Sequence, residues 1–376
     1  MRIIRRAMRI LLVKTSSLGD VIHNLPVATD LRRRFPDAAI DWVVEESFAE
    51  LPRLHPAVRR VIPVAVRRWR KTLLSLATWS EIGSFRRAAR RPLAVEGAPR
   101  SGGKTSASGM RDASSGVAAA ASASAVASPQ AGPLLHASAS PDFFDAVLDT
   151  QGLLKSALIA RLANGPKLGH AADSAREPLA ARFYDRAFSI PKDLHAVERN
   201  RRLAAAAFGY ATDDLPLDYG ITAPPLVAPW LPSGDYAVLL TATSRADKEW
   251  PEPDWQALGQ ALITMGMRCV LPAGSPAERE RAGRIAAMLG RAVAAPPLSL
   301  AELASLMAGA RVVVGVDTGL THLAAALDRP TVAIFCGSDP QLTGVFAGTR
   351  AINLGGIGQP PGAGEVLASC RRLLGA

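Results

Sequence analysis

Short apolar runs recur along the chain, each followed by a polar loop and a stretch of helical period, and this rhythm predicts alternating strands and helices. The first unit is the clearest. RILLV from Arg9 reads as a strand, KTSSLGD as a loop, and VIHNLPVATDLRRRF as one amphipathic helix. Apolar runs at Ala39 to Val44, Val61 to Val64 and Phe144 to Leu148 continue the series, with a charged helical pattern from Ser75 to Arg91. A Pro-rich segment, Pro216 to Pro232, reads as a linker, and a second series follows it. Its strands are Tyr236 to Leu240, Arg268 to Leu271, Val312 to Val316 and Thr331 to Phe335. Its helices are Asp254 to Thr264, Ala277 to Leu289, Leu300 to Ala308 and Leu320 to Leu327. The pattern predicts an α/β protein of two doubly wound, Rossmann-like domains, 1–215 and 233–376, joined by residues 216–232 and facing a central cleft, with ligands at the carboxyl ends of the strands. The C-terminal helix is expected to pack back on the first domain. Residues 92–140 break the rhythm: rich in Ala, Ser and Gly and without periodic large apolar residues, they are expected to form a disordered insertion.

Length agrees with two domains, since 376 residues suffice for two buried cores. No run approaches the roughly 20 apolar residues that span a bilayer. Near the start, Arg2, Arg5, Arg6 and Arg9 precede an apolar stretch of only Ile10 to Val13, too short for a signal peptide, so the expected location is the cytoplasm. Translation from Met8 would remove seven residues to which we assign no structural role. Forty-four Lys and Arg against 33 Asp and Glu leave a formal charge of +11, which points to an anionic partner: nucleic acid, phosphorylated lipid or nucleotide. Basic and aromatic residues are not interleaved and no nucleic-acid motif is present, which argues against the first. Cys269, Cys336 and Cys370 form no CxxC pair, so neither a disulfide framework nor a structural zinc site is expected. With no DxD-like pair at a strand end and no His pair at ligand spacing, no metal or other cofactor is expected.

Candidate chemistry gathers at the predicted strand ends. KTSSLGD lies where backbone amides and a helix N-terminus collect anionic or hydroxyl-rich ligands; Asp20 there is either a functional carboxylate or a first-turn cap. The loop is neither GxGxxG nor a Walker sequence. Arg67, Arg68, Arg70 and Lys71 form a dense basic cluster suited to carboxylate or phosphate, or else a solvated face. In the second half Thr243, Ser244 and Lys248 follow a strand and could hold a diphosphate. Asp317, Thr318 and Gly319 end another strand at the start of an apolar helix that carries His322. Glu278, near a helix start, suits a ribose diol or a helix-dipole contact. Together these make one nucleotide-sized site.

From Met8 on, the segments MRILLVKTSSLGDVIHNLPV, DWVVEESFA, VIPVAVRRWRK, FDAVLDTQGLLKSALIARLA, AREPLAARFYDR, HAVERNR, KEWPEPDW and VDTGLTHLAAALDRP occur in order. In these the chain resembles the type I lipopolysaccharide heptosyltransferases, glycosyltransferases of the GT-B fold. KTSSLGD and RRWRK favour type I over type II. The resemblance implies inverting, metal-independent transfer of L-glycero-D-manno-heptose from ADP-heptose to the first Kdo of Kdo2-lipid A, in weak contact with the cytoplasmic face of the inner membrane. It implies Asp20 as general base and Lys248, Thr243 and Ser244 as diphosphate holders. Asp317, Thr318, Gly319 and His322 match the donor loop and Glu278 the ribose contact. Arg67, Arg68, Arg70 and Lys71 match positions that grip acceptor carboxylates and phosphates, with Lys14, Ser16, Ser17, Arg161 and Arg176 as further acceptor candidates. The sequence departs from the family's pattern in the length of the 92–140 insertion and in Leu298, an adenine-side position commonly held by methionine. The alternatives are heptosyltransferase II, another GT-B transferase, a nucleotide-sugar epimerase, or a non-catalytic basic protein that binds nucleic acid or anionic membrane.

Overall fold

The computed structural model describes residues 7–69, 71–72, 75–90 and 143–375. The 92–140 insertion and Arg70 therefore lie outside the described residues. The first series runs β1 (Arg9–Val13), α1 (Leu18–Ile22), α2 (Leu25–Arg34), β2 (Ala39–Glu45), α3 (Glu50–Arg53), β3 (Val58–Val64), α4 (Val66–Trp69), α5 (Leu76–Arg90), β4 (Ala146–Asp149), α6 (Leu154–Arg161), β5 (Lys167–His170), β6 (Arg186–Phe188) and α7 (Ala196–Phe208). The second runs β7 (Tyr236–Leu240), α8 (Glu252–Thr264), β8 (Arg268–Leu271), α9 (Pro276–Leu289), β9 (Ala292–Ala294), α10 (Leu300–Ala308), β10 (Val312–Val316), α11 (Gly319–Ala326), β11 (Thr331–Phe335), α12 (Pro340–Thr343), β12 (Ala351–Gly355) and α13 (Ala363–Leu374).

Each series forms a six-stranded sheet, ordered β3-β2-β1-β4-β5-β6 and β12-β11-β10-β7-β8-β9, and every pairing is parallel. The order reverses between β1 and β4, and again between β7 and β10. At such a switch point the loops leave in opposite directions and open a crevice beyond the carboxyl ends of the strands. The two sheets thus present the loops after β1, β4, β7 and β10 to ligands. The central strands are buried on both faces, as parallel strands between helical layers must be: β1 and β10 are wholly buried.

Two expectations need correction. The first helix is not continuous. It breaks at His23 and Asn24 because Pro26, in the first turn of α2, has no amide hydrogen to give to the Ile22 carbonyl four residues back, and its ring crowds that carbonyl. The C-terminal helix does not return to the first domain: α13 packs on α8 and β11, with Val366 and Cys370 buried in the core around Trp250 and Trp255. The Pro-rich linker lies against the protein, with Tyr219 and Ile221 buried and Tyr219 donating to Phe346 O at 2.6 Å. Gly220 there has φ +66°, and a Cβ would stand 2.4 Å from His55 Nε2, so only glycine lets this strap lie so close.

Both domains share one apolar cluster, with Leu25 and Val27 of α2 in it beside Leu306 and Leu323 of the second domain. Glu50 of α3 accepts from the Ala301 amide in the first turn of α10 at 2.9 Å. In the first domain α7 is tied to α2 by the buried pair Arg201–Asp30 at 2.8 Å, which fixes where Arg199 and Asn200 stand.

Candidate active site

The loop after β1 turns directly into α1, with Ser17 as N-cap. Asp20, at the third position, accepts from the Ser17 amide at 2.9 Å, so it is a capping carboxylate, as one of the two readings of the sequence had it. It is also more than a cap. Arg176 donates to both its oxygens, at 2.6 and 3.3 Å, across 156 residues of sequence. Burial would raise its pKa, but Lys14, Arg176 and the Ser17 amide outweigh that and hold the carboxyl well below the ordinary range. Lys14, 3% exposed, donates to Thr150 O at 2.9 Å and Asn200 Oδ1 at 3.4 Å, and burial pushes its ammonium down to about 8. Ser16 accepts from Lys155 at 2.8 Å.

In the second domain, Lys248 and Asp317 pair at 2.6 Å across the switch point, Lys248 from the segment after β7 and Asp317 from the end of β10. Ser338 also donates to Asp317 Oδ2, and Thr243 Oγ1 donates to Asp317 O at 2.9 Å. Beside them opens a cavity of about 290 Å³ lined by Thr243, Ser244, Glu278, Leu298 and Thr318, with Leu240, Pro272, Leu303 and Leu320 supplying apolar wall. A lining that combines hydroxyls and a carboxylate with leucines suits a nucleotide. Glu278 closes a capping box with Ser275 and accepts from the Gly274 and Ser275 amides through Oε2, at 2.8 and 3.0 Å.

The two halves meet at α1 and α11. A Cβ on Gly319 would stand 2.7 Å from Leu18 Cγ, so this glycine admits the neighbouring helix, whatever else it does. His322 faces His23 at 3.2 Å, and burial first, with its charged surroundings, takes it down to about 4, so it is neutral at physiological pH. His195 completes a cluster: its Nδ1 accepts from the Val197 amide, so Nε2 carries the proton and donates to Gly344 O of the second domain at 3.0 Å. Asp20 lies in α1 and Asp317 directly before the N-cap of α11, and these two helices meet, so the two ion pairs flank one place in the cleft. Among the described residues no group of three or more His, Cys, Asp or Glu could hold a metal ion.

Some sequence candidates do not join this site. Arg161 pairs with Asp185 at 3.2 Å, and Asp185 accepts from the amide of Lys167, the first residue of β5. That is the amino edge of the sheet, the opposite end from the loop after β1, so Arg161 is removed from the acceptor candidates. Arg68 is bound to Glu46 and Glu81 at 3.0 and 2.7 Å, Arg67 lies over the Phe48 ring, and Lys71 is exposed. These stand beyond edge strand β3, away from the switch point.

The described family Glycosyltransferase family 9 (heptosyltransferase) matches residues 140–362. A lipopolysaccharide heptosyltransferase 1 of Pseudomonas aeruginosa is 44% identical over 351 residues, 93% of this chain and 84% of that protein. The chain belongs to glycosyltransferase family 9, the heptosyltransferases. Two solved structures of the Escherichia coli heptosyltransferase WaaC, each 38% identical and covering 97% of this chain, superpose on it. One is with ADP, at a TM-score of 0.78 with all of that chain covered; the other is with ADP-2-deoxy-2-fluoro heptose, at 0.74 with 98% covered. The resemblance read from the motifs is thereby borne out, and with it the GT-B fold.

This heptosyltransferase also carries polar residues in its site that sequence reasoning passed over: Thr150, Gln151, His170, Arg199, Asn200, His23 and His195. The signal for the first two was available, because residues directly after the strand beside β1 lie at the switch point. The others are contributed by β5, α1 and the start of α7, whose position depends on tertiary packing.

Proposed function

We propose that this heptosyltransferase of lipopolysaccharide core biosynthesis moves L-glycero-D-manno-heptose from ADP-heptose to the first Kdo of Kdo2-lipid A, with inversion. What supports it most is the placement of an ionised carboxylate, Asp20, and a cation, Lys248, on facing domains beside a nucleotide-sized cavity. Inversion in one displacement needs a base on the acceptor hydroxyl and a stabilised leaving group on the opposite side. Asp20 supplies the base. Lys248, with one of its three donors on Asp317, has two left for the departing diphosphate, beside the Thr243 and Ser244 hydroxyls. Leu298 and Leu303 would enclose the adenine, and Glu278 Oε1 would take a ribose hydroxyl. Calorimetry against ADP-heptose and a UDP-sugar tests the donor: saturable binding of the first alone is expected, and equal binding of both would return the site to another GT-B transferase.

With Lys248 and helix amides to neutralise ADP, we propose catalysis without a metal, so turnover in excess chelator should equal the untreated rate; its abolition would refute this. Lys14 gives the pH dependence. Its ammonium is present below about pH 8 and lost above it, so kcat/KM for an anionic acceptor should fall as pH rises through about 8. Kcat/KM for the donor should stay level; a flat acceptor profile to pH 9.5 would remove Lys14 from acceptor binding. No described helix is long and apolar enough to cross a membrane. The basic chain would meet its lipid acceptor at the anionic cytoplasmic surface through charge.

A further inference from the structure

HAVERNR is one of the segments that carry the resemblance, yet the reaction as derived uses no side chain from it. Its histidine stands where the two domains touch. His195 is the N-cap of α7, and its ring nitrogens are divided between the domains. Nδ1 accepts from the Val197 amide of its own helix at 3.2 Å, and Nε2 donates to Gly344 O of the second domain at 3.0 Å. The ring also lies flat on that of Phe346, with centroids 4.5 Å apart and planes 14° from parallel. The shorter side chains of Ser, Thr, Asp and Asn are the usual caps, and the length of this one is what reaches the other domain.

On the second-domain side this clasp leads to the donor site in a few bonds. Gly344 ends α12, and its amide donates to Pro340 O at 2.7 Å. Two residues before that helix, Ser338 donates to Asp317 Oδ2, the oxygen that Lys248 also holds, at 2.6 Å. Asn353 pins the next residue, Val345, at both its amide and its carbonyl, each at 2.9 Å. On the first-domain side α7 carries Asn200, which donates to His23 O at 3.1 Å and accepts from Lys14 at 3.4 Å. A continuous run of bonds therefore joins Lys248 to Lys14, through Asp317, Ser338, α12, His195 and α7.

We propose that His195 is a positioning residue that passes donor occupancy to the acceptor side, so that donor and acceptor each bind more tightly when the other is present. The inference rests on the reading above, in which Lys248 faces the donor diphosphate and Lys14 the acceptor. A diphosphate draws on the Lys248 ammonium. Asp317, less neutralised, then takes a stronger bond from Ser338, because bonds to a charged acceptor are the strong ones. That steadies α12 and the Gly344 carbonyl that His195 grips. Made or released, the His195 bond is the two-state element that both sites bias. When made, it holds the start of α7 so that Asn200 stands against Lys14, and linkage requires the effect to run equally in both directions.

The two ring nitrogens can be replaced one at a time. His195→Asn keeps an acceptor for the Val197 amide and loses the reach to Gly344; His195→Gln places an amide donor near the Nε2 position and gives up the cap. Calorimetry of delipidated Kdo2-lipid A with and without saturating ADP reads the coupling, and hydrogen exchange over residues 197–201 on adding ADP reads the clasp with no acceptor present. In wild type ADP should tighten acceptor binding about tenfold and slow that exchange. In His195→Asn the factor should fall below about twofold, and the exchange should no longer respond to ADP. His195→Gln should keep most of the factor. Ser338→Ala cuts the same run at its other end, so it should lose the factor as His195→Asn does, and the double variant should lose no more. A cap alone predicts the reverse order, glutamine impaired and asparagine normal. That order, a wild-type acceptor affinity indifferent to ADP, or ADP bound without slower exchange over 197–201 overturns the inference. The reading of the reaction fails differently: the acceptor would give no heat with wild type, while ADP still slowed the exchange in wild type and His195→Gln but not in His195→Asn.

Discussion

Asp20→Asn should lower kcat by about 10²- to 10⁴-fold, the span ascribed to a positioned general base, with ADP-heptose affinity unchanged. Asparagine keeps the side chain's shape and one oxygen for the Ser17 amide, so the start of α1 survives. It loses the charge that pairs with Arg176 at 2.6 Å and the capacity to take a proton. A capping role alone predicts a lower melting temperature and nearly normal turnover. Single-turnover transfer, with donor affinity by calorimetry, separates the two, and retained turnover would leave Asp20 as a structural carboxylate.

Lys248→Met should weaken donor binding and slow transfer together, by about 10²- to 10³-fold in kcat/KM for ADP-heptose, as for removal of one group that stabilises developing charge. The volume is retained and the ammonium removed. Asp317 is then left with Ser338 at the end of a buried strand, adding carboxylate repulsion against the diphosphate. ADP affinity should fall with that for ADP-heptose, since the contact is to phosphate. Wild-type affinity for both would contradict the role.

How far the sequence could be read depended on whether a feature is local. β7, β8, β10 and β11 lie where their apolar runs put them, because a parallel strand buried on both faces writes its length directly as hydrophobicity. The helix break at Asn24 was also local, in the proline two residues on, but the helical period passed over it. The donor-side residues Thr243, Ser244, Glu278 and Leu298 converge on one cavity because each directly follows a strand or opens a helix at the same crevice. The contact between Lys14 and Asn200 could not be read that way, because the two are 186 residues apart and meet where Arg201 anchors α7 on Asp30. The RRWRK cluster is conspicuous in sequence, and what sequence did not show is that Arg68 there pairs with Glu46 and Glu81. Arg161 failed for a related reason. Helical period gives the face of α6 it occupies but not which end of the sheet that helix end reaches.

The interdomain histidines bear on how the two halves stay in register. Burial and neighbouring cations keep His23 and His322 neutral, so their contact is a hydrogen bond between uncharged rings, with His195 fixed to Gly344 beside them. They align α1 with α11, and so Asp20 with the donor loop.

The most direct test of the central claim is the mass of delipidated Kdo2-lipid A after incubation with the enzyme and ADP-heptose. One added heptose per acceptor, with release of an equivalent of ADP, is the predicted result. An unchanged acceptor with ADP-heptose bound but not consumed, or product only when the acceptor already carries a heptose, would contradict it.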